Sequence, residues 1–525
     1  MYKKNKMLSA VAAVAILSSG AMSFDMVVKS NDKNSATIMT DIVANAVKAT
    51  YTDANIVTAT EPMRLSTNDR GDALIYPSFK AKDGWETKIT VRNTRDVSVV
   101  AKAVLYDAYD SHELKDFNLY LSSHDVASFK IKEKDGIVNV TTRDGSIMAG
   151  LDQTLRTDNA VVVAHENPEN TNLANITEQL DDDGDFIIAP ITNFKDKNNS
   201  GYVIVYVMAQ TDDKNLALPK NNVGHDYYHQ DHIGLYQAYY KALTKCRGNS
   251  WKDIFNTYGT AKNGTATELN ITAPNLQATC DDTINTHFTS PDKDILFGEV
   301  SMYKGGSDPR SLLLKARAIE NYTDDNVSQM MLWAPGEYAS IQDRRIIKDQ
   351  DGDKYADYNT TGIYEDSKDM IVNHGYFSFN KHKTKNDRSV LLVTQPMKRA
   401  LDMAGYGSKY WTKINMPNNW GQFSLGMQFY DENENADKRK LQLVTITSPA
   451  NAKDAKLYEP EMAPLDYDLL ARGANQQIFK DNDTTGYADI KINGNKGLPA
   501  IVTEMVSEDI NGEAQINWIY SATNK

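Results

Sequence analysis

The chain has 525 residues, with 57 Lys+Arg against 70 Asp+Glu and a formal net charge of −13. At roughly 100–200 residues per domain this implies two to four domains with ample material for a core. The acid excess excludes a nucleic-acid binder, which would carry a basic face. A single apolar run, at the extreme N-terminus, excludes a multi-span membrane protein.

Taken in chain order, residues 1–23 read as a signal peptide. Lys3, Lys4 and Lys6 precede the apolar stretch from Met7 to Leu17, and Ala21-Met22-Ser23 is a small-x-small cleavage site. That stretch is too short to cross a bilayer, so no transmembrane segment is expected in the mature chain. Residues 24–65 read as an N-terminal extension, with a short helix at 41–47 and a β-branched strand at 54–59. The extension is too short to bury itself and should pack on the body or on a neighbouring subunit.

Residues 66–210 read as a first β domain. Strands are expected at 73–77, 86–93, 98–106, 116–121, 126–132, 186–189 and 201–208. In 86–93, Thr87, Ile89 and Val91 alternate with Lys88, Thr90 and Arg92, a period of two. Turn residues separate short strands at intervals that suit an antiparallel sandwich. Residues 211–290 change character and form a helical insertion, with a helix at 232–243 and a second at 251–255. The insertion also carries Cys246 and Cys280, the two cysteines of the chain. In an exported protein that even count reads as one disulfide, two free buried thiols being the alternative. Residues 291–525 read as a second β domain, with strands at 295–302, 311–318, 389–395, 423–429, 441–446 and 499–506.

The sharpest chemical motif is Asp349-Gln-Asp351-Gly-Asp353-Lys-Tyr355-Ala-Asp357. Four carboxylates at alternating positions, with the Tyr355 carbonyl between the last two, supply the hard oxygens that Ca²⁺ prefers. The order resembles the calcium loops of integrin-type propeller repeats and of dockerins, but lacks the Gly and Glu positions of an EF-hand. An acidic surface turn is the alternative. A weaker second loop is Asp481, Asp483, Thr485, Tyr487 and Asp489. A third is Asp181, Asp183 and Asp185, which runs straight into a strand. In His225, His229 and His232 the spacing would place three imidazoles on one helical face, though a polar helix start explains them more simply. Ser301 and Lys304 have S-x-x-K spacing inside an expected strand, without the partner motifs of a hydrolase. Four of nine N-x-[ST] sequons carry an acid two residues earlier: Asn198, Asn270, Asn326 and Asn359. That acid-extended form is what some bacterial oligosaccharyltransferases use, which makes these four candidate glycosylation sites.

Several segments resemble an uncharacterised group of secreted bacterial cell-surface proteins. They are GDALIYPSFKAKDGWETKITVRNT at 71–94, KDFNLYLSSHDVASF at 115–129, GYVIVYVMA at 201–209 and LFGEVSMYKGGSDPRSLLLKARAI at 296–319. VLLVTQPMKRA at 390–400 and GLPAIVTEMVSEDINGEAQINW at 497–518 complete the set. These motifs describe strands, not catalytic groups. The resemblance implies an exported, surface-displayed β protein of bacterial origin.

The expected fold is mainly β: two antiparallel β-sandwich-like domains with a small helical insertion. The expected function is a calcium-stabilised, non-enzymatic structural protein of the bacterial cell surface, extracellular rather than periplasmic, that self-assembles into a layer or fibre. The alternative is an adhesin or glycan-binding module whose Trp251, Trp333, Trp411 and Trp420 stack on surface glycans. A secreted hydrolase is a third reading.

Overall fold

The computed structural model describes residues 61–81, 84–108, 113–134, 136–147, 185–191, 200–213 and 216, and the helical positions 232, 234–236, 238–239 and 241–242. It further describes 279–281, 287–305, 310–323, 329–331, 341, 343–347, 357–379, 388–413, 420–431, 444–446, 462–466, 486–493, 496–510 and 513–519. Within these residues the protein is mostly β, with several antiparallel sheets and few helices.

One sheet has six strands in the order β1 (Arg64–Leu65), β13 (Arg317–Glu320), β2 (Ala73–Lys80), β9 (Ser200–Thr211), β4 (Ser98–Asp107) and β5 (Glu113–Leu121). A second has ten. It begins with β23 (Met462–Asp466), β19 (Arg388–Thr394), β26 (Ile501–Ile510), β27 (Glu513–Ile519) and β12 (Arg310–Lys315). It continues with β11 (Leu296–Lys304), β3 (Trp85–Asn93), β6 (Val126–Lys134), β7 (Ile137–Thr142) and β8 (Phe186–Ile191). Its pairings are antiparallel except for β12 with β27, which run parallel. A five-stranded sheet joins β18 (His374–Phe379), β24 (Gly486–Ile492), β21 (Trp420–Asp431), β20 (Thr412–Lys413) and β22 (Val444–Ile446). Three short pairs complete the set: β10 (Thr279–Asp281) with β14 (Gln329–Met331), β15 (Ile346–Ile347) with β16 (Asp357–Tyr358), and β17 (Ile371–Val372) with β25 (Leu498–Pro499). Three short helices follow β16: α1 (Thr360–Lys368), α2 (Lys398–Met403) and α3 (Gly407–Tyr410).

The sequence pattern explains which strands take which place. In β3 the side chains of Thr87, Ile89, Val91 and Asn93 are buried in alternation, and β11 does the same with Leu296, Gly298, Val300 and Met302. These strands have one covered face. By contrast β9 is buried along almost its whole length. It is an inner strand of the six-stranded sheet, and that sheet is covered on both faces, so an unbroken apolar run is what it requires. On one face Val203, Val205 and Val207 join Ile89, Val91, Phe129, Ile131 and Val300 of the ten-stranded sheet in a shared core. On the other, Tyr202, Ile204 and Tyr206 meet Leu235, Tyr236 and Tyr239 of the helical insertion, together with Tyr322, Ile363, Leu401 and Trp411. The expected helix at 232–243 therefore serves as a cover; its described buried face is Leu235, Tyr236, Ala238, Tyr239 and Ala242.

The spans 66–210 and 291–525 do not make separate sheets. β3 of the first pairs along its length with β11 of the second, from Leu296↔Asn93 to Lys304↔Trp85, and β13 pairs with β2. Alternation tells which face of a strand is buried but not which strand lies beside it, so the pairing crosses the expected boundary.

The two large sheets touch closely at Gly298. A Cβ there would meet the Tyr76 hydroxyl and the Leu74 side chain. Tyr76 Oη donates to the Thr90 carbonyl at 2.9 Å and is fully buried, so it has little freedom to retreat. Gly298→Ala is expected to destabilise the protein by about 1–3 kcal/mol, as overpacking does. A denaturation midpoint equal to wild type would show that the contact can relax.

Candidate metal centre and the buried clamp beneath it

The acidic motif has a defined root. A single 3-10 turn at Asp343–Arg345 leads into β15, and β15 pairs antiparallel with β16 through Ile346↔Tyr358 and Ile347↔Asp357. One step outward, Asn359 N–H donates to the Arg345 carbonyl at 2.7 Å. The Asn359 Oδ1 then accepts from Gly362 N–H at 2.9 Å and caps α1. Asp349, Asp351, Asp353 and Tyr355 lie outside the described residues, between these stems. Asp357 is in β16, opposite Ile347.

Beneath the root lies a buried charge cluster. Arg344 is fully buried, and Arg345 and Asp366 nearly so. Arg345 grips Asp366 with both ends of its guanidinium, Nε to Oδ2 at 2.8 Å and Nη2 to Oδ1 at 2.6 Å. Arg344 Nη1 contacts the same carboxylate. The two guanidiniums also collect backbone carbonyls. Arg344 donates to Tyr322 O at 2.9 Å, to Glu61 O at 2.8 Å and to Asn321 O; Arg345 donates to Glu61 O at 3.0 Å. Asp366 Oδ1 in turn accepts from Met63 N–H at 3.0 Å. Five donors in a rigid plane suit arginine, and not lysine, to such a junction. Gly362 is needed here because a Cβ would stand 2.8 Å from Arg345 Cδ.

Asp72 completes the cluster. It is fully buried and accepts from Tyr322 N–H at 3.0 Å and Thr323 N–H at 2.7 Å. Asn321, in the left-handed region at φ 62°, turns the chain so that these two amides follow it. Burial pushes the Asp72 carboxyl up to about 7, against the pull of the two amides and of Arg344. Two guanidiniums against the Asp366 carboxylate leave a positive excess that an ionised Asp72 would neutralise.

The remaining expected site residues fall elsewhere. Asp185 is buried at the entrance to β8, in ion pairs with Lys130 at 3.0 Å and with Arg143. Its carboxylate is thus engaged by two cations of the protein; Asp181 and Asp183, the other expected ligands of that loop, lie outside the described residues. Tyr487 and Asp489 lie in β24, paired on both sides, and Asp489 Oδ1 stands 2.5 Å from His374 Nε2. Asp481, Asp483 and Thr485, the rest of the expected loop, are outside the described residues. Among the described residues no group of three or more His, Cys, Asp or Glu could hold a metal.

Cys280 is in β10 opposite Met330, while Cys246 lies outside the described residues. Of the sequon asparagines, Asn198, Asn270 and Asn326 are outside them too. Asn359 is committed as the cap of α1, with its Nδ2 packed beside Gly362, which argues against a glycan there. Trp411 is buried and donates from Nε1 to Gln395 Oε1 at 2.6 Å, so it is not a platform for sugars. Trp420 opens β21; Trp251 and Trp333 are outside the described residues. Ser301 and Lys304 lie in β11.

A Ser–His–Asp grouping absent from the sequence reading also forms. Ser146 Oγ donates to Asp125 Oδ2 at 2.8 Å, and His232 Nε2 stands 3.5 Å from both. One ring nitrogen faces both partners. Acyl transfer places the imidazole between them and uses its two nitrogens separately. The geometry instead ties the start of β6, the turn at 145–147 and the helical insertion together. His225 and His229 lie outside the described residues.

Comparison of the chain with family models, with curated proteins and with solved structures gives no match.

Proposed function

We propose that the chain is an exported, calcium-stabilised structural protein of the bacterial cell surface, a non-enzymatic subunit of an extracellular layer or fibre. In this reading it is built from antiparallel sandwich-like domains and stapled by a Cys246–Cys280 disulfide. The observation that carries the reading is the anchoring of the N-terminal extension. Its last residues, Glu61 to Leu65, are fixed by the Arg344–Arg345–Asp366 clamp and by β1 on a sheet edge. The point from which residues 24–60 would reach a neighbour is thus fixed, beside the stem of β15 and β16. Its strand at 54–59 would add to an open sheet edge of a neighbouring subunit, with affinity supplied by main-chain hydrogen bonds. Calcium in the 349–357 loop would hold the hairpin, and weak sites are filled where the ion is abundant.

The test uses the mature protein in about millimolar Ca²⁺, the range of extracellular sites, and then with chelator. Light scattering and negative-stain microscopy should show sheets or fibres that disperse when the ion is removed. A chain lacking 24–58 but keeping Glu61 to Leu65 should remain a folded monomer. Assembly unchanged by that deletion, or a monomer at every calcium concentration, would overturn the proposal.

A further inference from the structure

A second buried charge pair lies at the edge of the six-stranded sheet. Lys102 of β4 is fully buried, and its Nζ contacts Asp116 of β5, which is also buried. The register sets Lys102 directly opposite Asn118 and sets Val104 opposite Asp116, so Asp116 is the diagonal partner of Lys102. On its other side Lys102 stands opposite Tyr206 of β9. Alternation along the strands puts Lys102 between Val100 and Val104, on the face that carries Tyr120 and Tyr206. The ring of Tyr120 meets that of Tyr236 edge-on at 5.4 Å, and Tyr206 stacks on Tyr322 at 4.9 Å. The amine and carboxyl are thus held together under an aromatic cover.

We propose that Lys102 and Asp116 are a modification site, joined by an amide that the folded chain forms autonomously. The Lys102 Nζ attacks Asp116 Cγ, a C–N bond forms, and one C–O bond breaks. Proton transfer from the ammonium to the carboxylate first gives the neutral amine and acid; after attack, the departing hydroxyl takes a second hydrogen from the nitrogen and leaves as water. No oxidant, reductant or cofactor is required. Three features favour the reaction. The groups are prepositioned by strand register, which replaces a bimolecular encounter with a held contact. Desolvation disfavours both charges, and condensation replaces them with one neutral amide. The diagonal spacing, about 7–8 Å between paired positions, suits an extended lysine stem reaching a carboxyl, and Nζ contacts that of Asp116.

The position gives the bond a use. Among the described residues β5 is the outermost strand of its sheet, paired there with β4 alone. A covalent link from β4 to β5 would prevent the edge from peeling.

The test is peptide mass spectrometry on the folded wild-type chain after denaturation and trypsin digestion, and it needs no variant. Expected are a peptide uncleaved at Lys102, joined to the peptide that begins at Asp116, and a mass lower by one water. Asp116→Ala should restore cleavage at Lys102 and the full mass. Unlinked peptides of full mass from the wild type would overturn the proposal and leave an ion pair. A loss of one ammonia with Lys102 joined to Asn118 would equally overturn the assignment to Asp116. Neither result depends on whether the protein assembles.

Discussion

Asp366→Ala is expected to lower stability by about 3–5 kcal/mol, the usual cost of leaving buried charge without its partner. The substitution strips the carboxylate from between Arg344 and Arg345, both of which stay buried among backbone carbonyls. It also leaves Met63 N–H without its acceptor. The loss should be read as a lower midpoint in chemical denaturation. Because the clamp holds Glu61 and Met63, the N-terminal extension should become accessible to limited proteolysis near residue 61 at the same time. Asp366→Asn keeps the shape and one acceptor and should fall between wild type and alanine. A wild-type midpoint and an unchanged cleavage pattern for the alanine variant would show that the clamp does not hold the extension.

Stability should decline as pH rises through the weakly acidic range, and Asp72 should account for most of the decline. Its carboxyl is raised from 3.8 to about 7 by burial. Between those values the folded protein holds a proton that the unfolded chain has released. Proton uptake therefore favours the folded state in this window, and raising the pH removes that advantage. Below the window both states are protonated; above it both are ionised and the full penalty stands. The difference of about three units corresponds to about 4 kcal/mol. Asp402, raised to about 6 by burial against the pull of Lys398, adds a smaller term of the same sign. Asp72→Asn should flatten the profile between pH 5 and pH 8, measured as the chemical-denaturation midpoint at each pH. An identical slope in the variant would assign the pH dependence to other groups. The two predictions are coupled. Removing Asp366 leaves the cluster more positive, so Asp72 should ionise at lower pH in that background.

Much of the β architecture was legible in the residues. The alternation of Thr87, Ile89 and Val91 locates β3, and the run from Gly201 to Met208 marks β9 as buried on both faces. Period-two patterning reports the local environment of each strand, so it survives without knowledge of the partner. Strands such as β7, β18 and β24 escaped because polar residues interrupt their alternation and tertiary pairing supplies the missing preference. Asp185 and Asp489 show what spacing alone leaves out. Their spacing in acidic runs suggested metal ligands, yet each lies against a basic or imidazole group brought from another strand.

The sequence by itself determined the acidic character, the strand periods, the helical break in the middle of the chain and the spacing of Asp349, Asp351, Asp353 and Asp357. All of these are properties of neighbouring residues. The tertiary structure alone decided that β3 pairs with β11, that Arg344 and Arg345 meet Asp366 beside Glu61, and that Lys102 touches Asp116 across a register diagonal. The physical reason is that burial and charge pairing depend on which surfaces meet. A lone Lys102 or Asp366 looks like any solvated charge until the fold removes the water around it.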